Sequence, residues 1–124
     1  MNWGYVAGFL DGEGSITVSA VYYKQRRKIY TRVQVSFYQK NPEALLEIAK
    51  FLSVQGCHSV KVLSGEVRTN VSKEPSIQHR LCISNVSDLV IVLRGMIPEL
   101  VIKKNLAERA LELLHSKYLE KELQ

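Results

Sequence analysis

Apolar and polar positions recur with two different periods along this chain, and the switches between them mark out successive helices and strands. From Trp3 to Leu10 the spacing is helical: Tyr5, Val6, Phe9 and Leu10 are apolar, while Gly4, Ala7, Gly8 and Asp11 fall at i, i+3, i+4 and i+7 and form a face of small residues. A face without bulk lets another backbone approach closely. Gly12 and Gly14 then predict a sharp exit through left-handed backbone. Ser15 to Tyr23 alternates with period two, placing Ile16, Val18, Ala20 and Tyr22 on one face and Ser15, Thr17, Ser19, Val21 and Tyr23 on the other. Lys24 to Lys28 reads as a basic hairpin tip. Ile29 to Gln39 returns as a second strand, with Ile29, Val33, Val35 and Phe37 inward and Tyr30, Arg32, Gln34, Ser36 and Tyr38 outward.

Asn41-Pro42-Glu43 opens a helix, Asn41 capping it and Pro42 at its first position. Leu45, Leu46, Ile48, Ala49 and Leu52 give that helix an apolar stripe, and it ends near Gln55-Gly56. A second hairpin follows, about Ser59 to Leu63 and Ser76 to Ser84, joined by a polar connection containing Gly65, Arg68, Asn70, Lys73 and Pro75. Its return strand sets Ile77, His79, Leu81 and Ile83 against Gln78, Arg80, Cys82 and Ser84. Asn85-Val86-Ser87-Asp88 begins a short helix to Leu93, and Pro98 opens a bend. Lys104 to Leu123 forms a long amphipathic helix bearing Leu106, Ala110, Leu113, Leu114 and Tyr118. The order α-β-β-α-β-β-α-α predicts an α+β fold whose antiparallel sheet keeps one face in water. No segment repeats, and residues 1–124 read as a single domain.

The net charge of +5 and pI near 9.3 point to a polyanionic partner, and the distribution sharpens this. Between Glu13 and Glu43 there is no acid, yet Lys24, Arg26, Arg27, Lys28, Arg32 and Lys40 all fall there. The acids gather in helical segments instead, at Glu108, Glu112, Glu120 and Glu122. Tyr22, Tyr23, Tyr30 and Tyr38 interleave with the basic run. Guanidinium, amide and hydroxyl groups on one sheet face are the chemistry that reads base edges and phosphates. The residues expected against DNA are Thr17, Ser19, Tyr23, Lys24, Arg26, Arg27, Lys28, Tyr30, Arg32, Gln34, Ser36, Tyr38, Lys40, Arg68, Gln78 and Arg80.

Several classes fall away. Cys57 and Cys82 make no disulfide framework and fit a reducing compartment. Nothing reads as a signal peptide, and no apolar run is long enough to span a bilayer, so a soluble intracellular protein is expected, in cytoplasm, nucleoid or organelle matrix. Cys57, His58, His79 and Cys82 lack the CxxC spacing of zinc sites. Gly12-Glu13-Gly14 has neither the lysine nor the spacing of a nucleotide-binding loop.

The stretch Val6-Ala7-Gly8-Phe9-Leu10-Asp11-Gly12-Glu13-Gly14 resembles the signature motif of the LAGLIDADG homing endonucleases, in their single-motif form. The resemblance implies a curved four-stranded antiparallel DNA-binding sheet backed by helices. It implies that Glu13, the last acid, binds a catalytic divalent metal, Mg²⁺, and that Asp11 caps and orients the turn. A single copy implies a C2 homodimer paired through Gly4, Ala7, Gly8 and Asp11, acting on a long near-palindromic double-stranded site with a staggered cut in both strands. Two Glu13 carboxylates so placed would repel without a cation between them. By the same resemblance, Gln39 at the second strand's end matches a supporting polar residue, and Lys103 after Pro98 matches a catalytic lysine. Glu43 stands near the place of a further basic residue and departs from the pattern. An intron RNA maturase or a non-cleaving DNA-binding regulator on the same scaffold is the alternative, which makes intron RNA a second candidate partner.

Overall fold

The computed structural model describes residues 1–25, 27–67 and 76–122, except the side chains of Val21, Tyr23, Lys28, Tyr30 and of residues 66–67, 76 and 117–122. The elements run α1 (Trp3–Glu13), β1 (Gly14–Tyr23), β2 (Lys28–Gln39), α2 (Pro42–Val54), β3 (Lys61–Val67), β4 (Ser76–Ile83), α3 (Val86–Met96), a 3-10 turn (Ile97–Glu99) and α4 (Lys104–Glu122). This is the expected α+β order with the short turn added.

The strands lie in the order β1-β2-β4-β3, every pairing antiparallel. Thr17, Ser19, Arg32, Gln34, Ser36, Tyr38, Gln78, Arg80 and Cys82 share one face by alternation and register. The other face carries Val35, Phe37, Leu81 and Ile83, all fully buried beneath the helices with Leu45, Ile48, Leu52, Leu89, Leu93 and Met96. Among the described residues no helix is long and apolar enough to cross a membrane.

The core side of the first hairpin departs from expectation. Ile16 is buried, but Val18 is 39% exposed, Tyr22 59% and Ile29 71%, and Ala20 is exposed too. The reason is the pairing. β1 and β2 pair along ten residues, whereas β2 pairs with β4 only from Val35 to Gln39. Beyond Val35 the hairpin continues as a two-stranded ribbon; Val33 is still buried, but Val18, Tyr22 and Ile29 on the same side are exposed. At its turn Arg27 has φ 50°, in the left-handed region.

Helix α1 begins at Asn2, whose Oδ1 accepts the Tyr5 N–H at 2.9 Å. It runs through Glu13 rather than stopping at Leu10. Its exit is not left-handed: Gly14 has φ −130° and ψ 178°, an extended backbone leading straight into β1. Glycine is needed there for space, because a Cβ would sit 2.5 Å from Leu10 Cδ1 and 2.8 Å from the Ser36 carbonyl oxygen. In α4 the core stripe is Ala107, Ala110 and Leu114; Leu106 and Leu113, read as core from sequence, are 40% and 39% exposed. Leu46 of α2 is likewise exposed.

Buried Asp88, in the first turn of α3, ties the second half of the chain together. Its carboxylate accepts the His58 N–H at 2.9 Å and the Ser59 N–H at 2.7 Å, while Asn85 caps the same helix. Burial and the nearby Asp88 charge push the Cys57 thiol up to about 11, which leaves it protonated and unreactive.

Candidate functional site

The C-terminal end of α1 and the segment before α4 meet across the whole length of the chain. An α-helix leaves its last carbonyl groups without intrahelical partners, and a cation there also opposes the negative end of the helix dipole. Lys103 takes that place: its Nζ donates to the Asp11 carbonyl oxygen at 2.8 Å. The Asp11 side chain points the same way, Oδ2 accepting the Val101 N–H and Oδ1 the Lys103 N–H, each at 2.9 Å. Partial burial works against ionisation of Asp11, but the backbone donors of Val101, Lys103 and Ile102 and the Lys103 charge outweigh it. They hold the carboxyl below its ordinary value of 3.8. Asp11 therefore braces a distant segment rather than its own turn.

Glu13, two positions on, ends the helix with its side chain exposed and without a hydrogen bond to any described residue. The geometry thus places one committed acid, one docked lysine and one uncommitted acid at a single corner. Gln39 lies at the same end of the sheet, two residues past Phe37, the partner of Gly14. It faces the helix side by alternation with Val35 and Phe37, stands opposite His79, and its Oε1 accepts the Lys40 N–H at 3.0 Å. Among the described residues no three His, Cys, Asp or Glu side chains converge to hold an ion within one chain.

The small-residue face of α1 differs from the expected one. Ala7 is fully buried in its own core, and both Asp11 carboxylate oxygens are taken by its own backbone. Gly4, Gly8 and Gly12 are exposed instead, and a Cβ built on Gly8 or Gly12 would meet nothing within 4 Å. The open ridge follows i, i+4, i+8, so Gly12 replaces Ala7 and Asp11 on it.

On the open sheet face Thr17, Ser19 and Arg32 are exposed, and Gln34, Tyr38, Gln78 and Arg80 half-buried. Lys24 and Arg27 are exposed at the ribbon's turn and Lys40 just after β2. Ser36 departs from expectation: it is only 4% exposed and, as placed, withheld from a base edge. Arg26 and Arg68 lie outside the described residues, as do the side chains of Tyr23, Lys28 and Tyr30. One member of this face was not singled out from sequence: Lys61, exposed on β3 and opposite Cys82, which alternation had already placed there. Strand β3 itself starts and ends later than the apolar pattern indicated.

Comparison with known proteins now bears on these features. The family model described as "LAGLIDADG endonuclease" matches residues 6–85. No curated protein sequence matches. Among solved structures the archaeal intron-encoded homing endonuclease I-Vdi141I complexed with DNA aligns over 98% of this chain and 72% of its own, with TM-score 0.74 and 20% identity. The homing endonuclease I-CvuI, in complex with the I-CreI target in 2 mM Mg with the DNA not cleaved, aligns over 91% of this chain with TM-score 0.69 and 24% identity. This chain spans 65% of that I-CvuI chain and 39% of a mutant of I-SmaMI, matched at 21% identity and TM-score 0.66. At these identities the likeness is one of fold. With the family match covering most of its length and its motif helix, strands and register in place, the chain belongs to the LAGLIDADG endonuclease family.

Proposed function

We propose that this protein is a site-specific DNA endonuclease that works as a homodimer with a divalent metal, Mg²⁺, and cuts both strands of a near-palindromic site in a staggered fashion. The observation that carries this reading is the corner at the end of α1. There Glu13 is uncommitted while Lys103 is anchored two residues back on the Asp11 carbonyl. Glu13 fits Mg²⁺, an ion held by one or two carboxylates together with substrate phosphates and water. When bound, Mg²⁺ supplies an activated water and stabilises charge on the leaving oxygen.

The chain's own groups do the rest. Glu13 presents a hard oxygen donor at the helix end. Lys103, its backbone and ammonium both fixed by Asp11, brings positive charge to the scissile phosphate. Gln39, at the same end of the sheet, orients solvent. The exposed ridge Gly4, Gly8, Gly12 packs on its twin, placing two Glu13 residues about one axis and giving the target its symmetry. Nothing in a lone protomer explains glycine at position 8, where a helical glycine costs about 1 kcal/mol against alanine. The sheet face bearing Thr17, Ser19, Arg32, Gln34, Tyr38, Gln78 and Arg80 lies along the major groove. Relatives solved with DNA on the same fold lend support.

The test is to incubate wild-type and Glu13→Gln protein with a library of near-palindromic duplexes in Mg²⁺. Double-strand cuts by wild type alone are expected, with Glu13→Gln still binding in a salt-dependent manner. Cutting by Glu13→Gln at the wild-type rate overturns the metal assignment. Binding without cutting by either protein favours the regulator or maturase reading.

A further inference from the structure

The cations of the open sheet face divide by position. Lys24 and Arg27 stand at the ribbon's turn, Lys40 follows β2, and Lys61 lies on β3, the outermost strand. Among the described side chains only Arg32 and Arg80 put a cation within the face itself. Arg32 is opposite Ser19 on the two-stranded ribbon, and Arg80 sits between Tyr38 of β2 and Leu63 of β3. Neither guanidinium has a hydrogen bond or ion pair to a described residue.

Position decides what each cation meets. The margins of a groove-binding face lie against phosphates, while its middle lies against the groove floor and the base edges. A guanidinium offers parallel N–H donors and no acceptor. Guanine alone presents two acceptors side by side in the major groove, O6 and N7. Adenine sets a donor beside its acceptor, thymine a methyl group, and cytosine offers a donor. Register then sets the spacing. Arg80 pairs with Tyr38, which is six positions beyond Arg32 on β2. Six residues of strand span about 20 Å. That length covers about six base pairs along the DNA axis, or about four if the strand winds with the groove. Tyr38 adjoins Gln39, so Arg80 is the nearer of the two to the corner that holds Glu13, and Arg32 is the farther.

We propose that each DNA half-site carries two guanines about four to six base pairs apart, the inner one read by Arg80 and the outer one by Arg32. The proposal rests on the DNA-endonuclease reading above and deepens it by naming two of the bases.

The experiment is a binding selection from a randomised duplex library with wild type, Arg32→Ala, Arg80→Ala, Arg32→Lys and Arg80→Lys, followed by salt titrations of each protein. Wild type is expected to enrich guanine, on either strand, at two positions of each half-site. Arg80→Ala loses the preference nearer the centre and Arg32→Ala the outer one, each by roughly five-fold or more, with the other position kept. The lysine variants retain charge without the fork and keep only part of each preference. Thermal melts report folding, and if Arg80→Ala does not fold, Arg80→Lys decides the inner position. Loss at one shared position, loss of a base other than guanine, a reversed order or a spacing outside this range each overturns the proposal. A uniform weakening over all sequences with a shallower salt slope makes the arginine a phosphate contact and also overturns it. If wild type enriches no sequence at all, the DNA-recognition reading itself fails, which is distinct from a failure of these two assignments.

Discussion

Asp11 shows how a single residue serves a site without touching its chemistry. Its carboxylate grips two backbone N–H groups and its carbonyl grips the Lys103 ammonium, so helix end and lysine move as one. Asp11→Asn retains at most one of the two carboxylate bonds and turns an amide donor toward the other N–H. Hydrogen bonds to a charged acceptor contribute about 1.5–3 kcal/mol, and the partial exposure here puts the expected loss at about 1–2 kcal/mol. The pH dependence has a definite sign. The folded value lies below 3.8, so the stabilisation is complete above pH 3.8 and is lost as pH falls through that depressed value. The stability gap between wild type and Asp11→Asn is therefore expected to be constant near neutrality and to close in acid, as denaturant midpoints at stepped pH will show. The acid itself was legible in the motif. Its partners were not, because they lie 90 and more residues away and nothing local in a sequence announces such a pairing.

Elements were easier to read than their surroundings. Period-two alternation located β1, β2 and β4 and divided their faces correctly, and Asn41 and Asn85 marked the starts of α2 and α3. What alternation cannot convey is whether anything lies over the apolar face, and so Ile29, expected in the core, is exposed with Val18 and Tyr22 on the same side. The stripe of α4 was misjudged for a related reason: small Ala107 and Ala110 pack closest, and larger leucines beside them stay out. Trp3 anchors the start of α1, packing edge-on against Phe51 at 5.0 Å between ring centroids. Its indole also lies over Gly95 of α3, where an added Cβ would come within 2.2–2.5 Å of three ring carbons. Gly95→Ala is therefore expected to force α1 and α3 apart and to destabilise the protein by about 1–3 kcal/mol, against the small gain alanine usually brings to a helix. A rise in melting temperature would show that the two helices have more room than this packing implies.

For the whole molecule, the proposed dimer places assembly on the glycine ridge of α1. Gly8→Leu adds bulk where the lone chain has open space, so folding is expected to survive while pairing fails. Sedimentation should then report a monomer with a wild-type circular dichroism spectrum and no double-strand cleavage; an active dimer would place the interface elsewhere. Because the face proposed to meet DNA carries basic residues and most of the described acids lie on helices, affinity is also expected to fall steeply with added salt. The ribbon beyond Val35 carries a further consequence. On the proposed reading the outer part of the ribbon recognises without supporting, since neither Tyr22 nor Ile29 contributes to the core and neither Lys24 nor Arg27 is buried. Substitutions at Ser19, Lys24 or Arg27 are expected to shift stability by no more than about 0.5 kcal/mol while changing which duplexes are held. A lineage built this way can follow a drifting target, or be steered to a new one, by rewriting its fingertips and leaving the palm untouched.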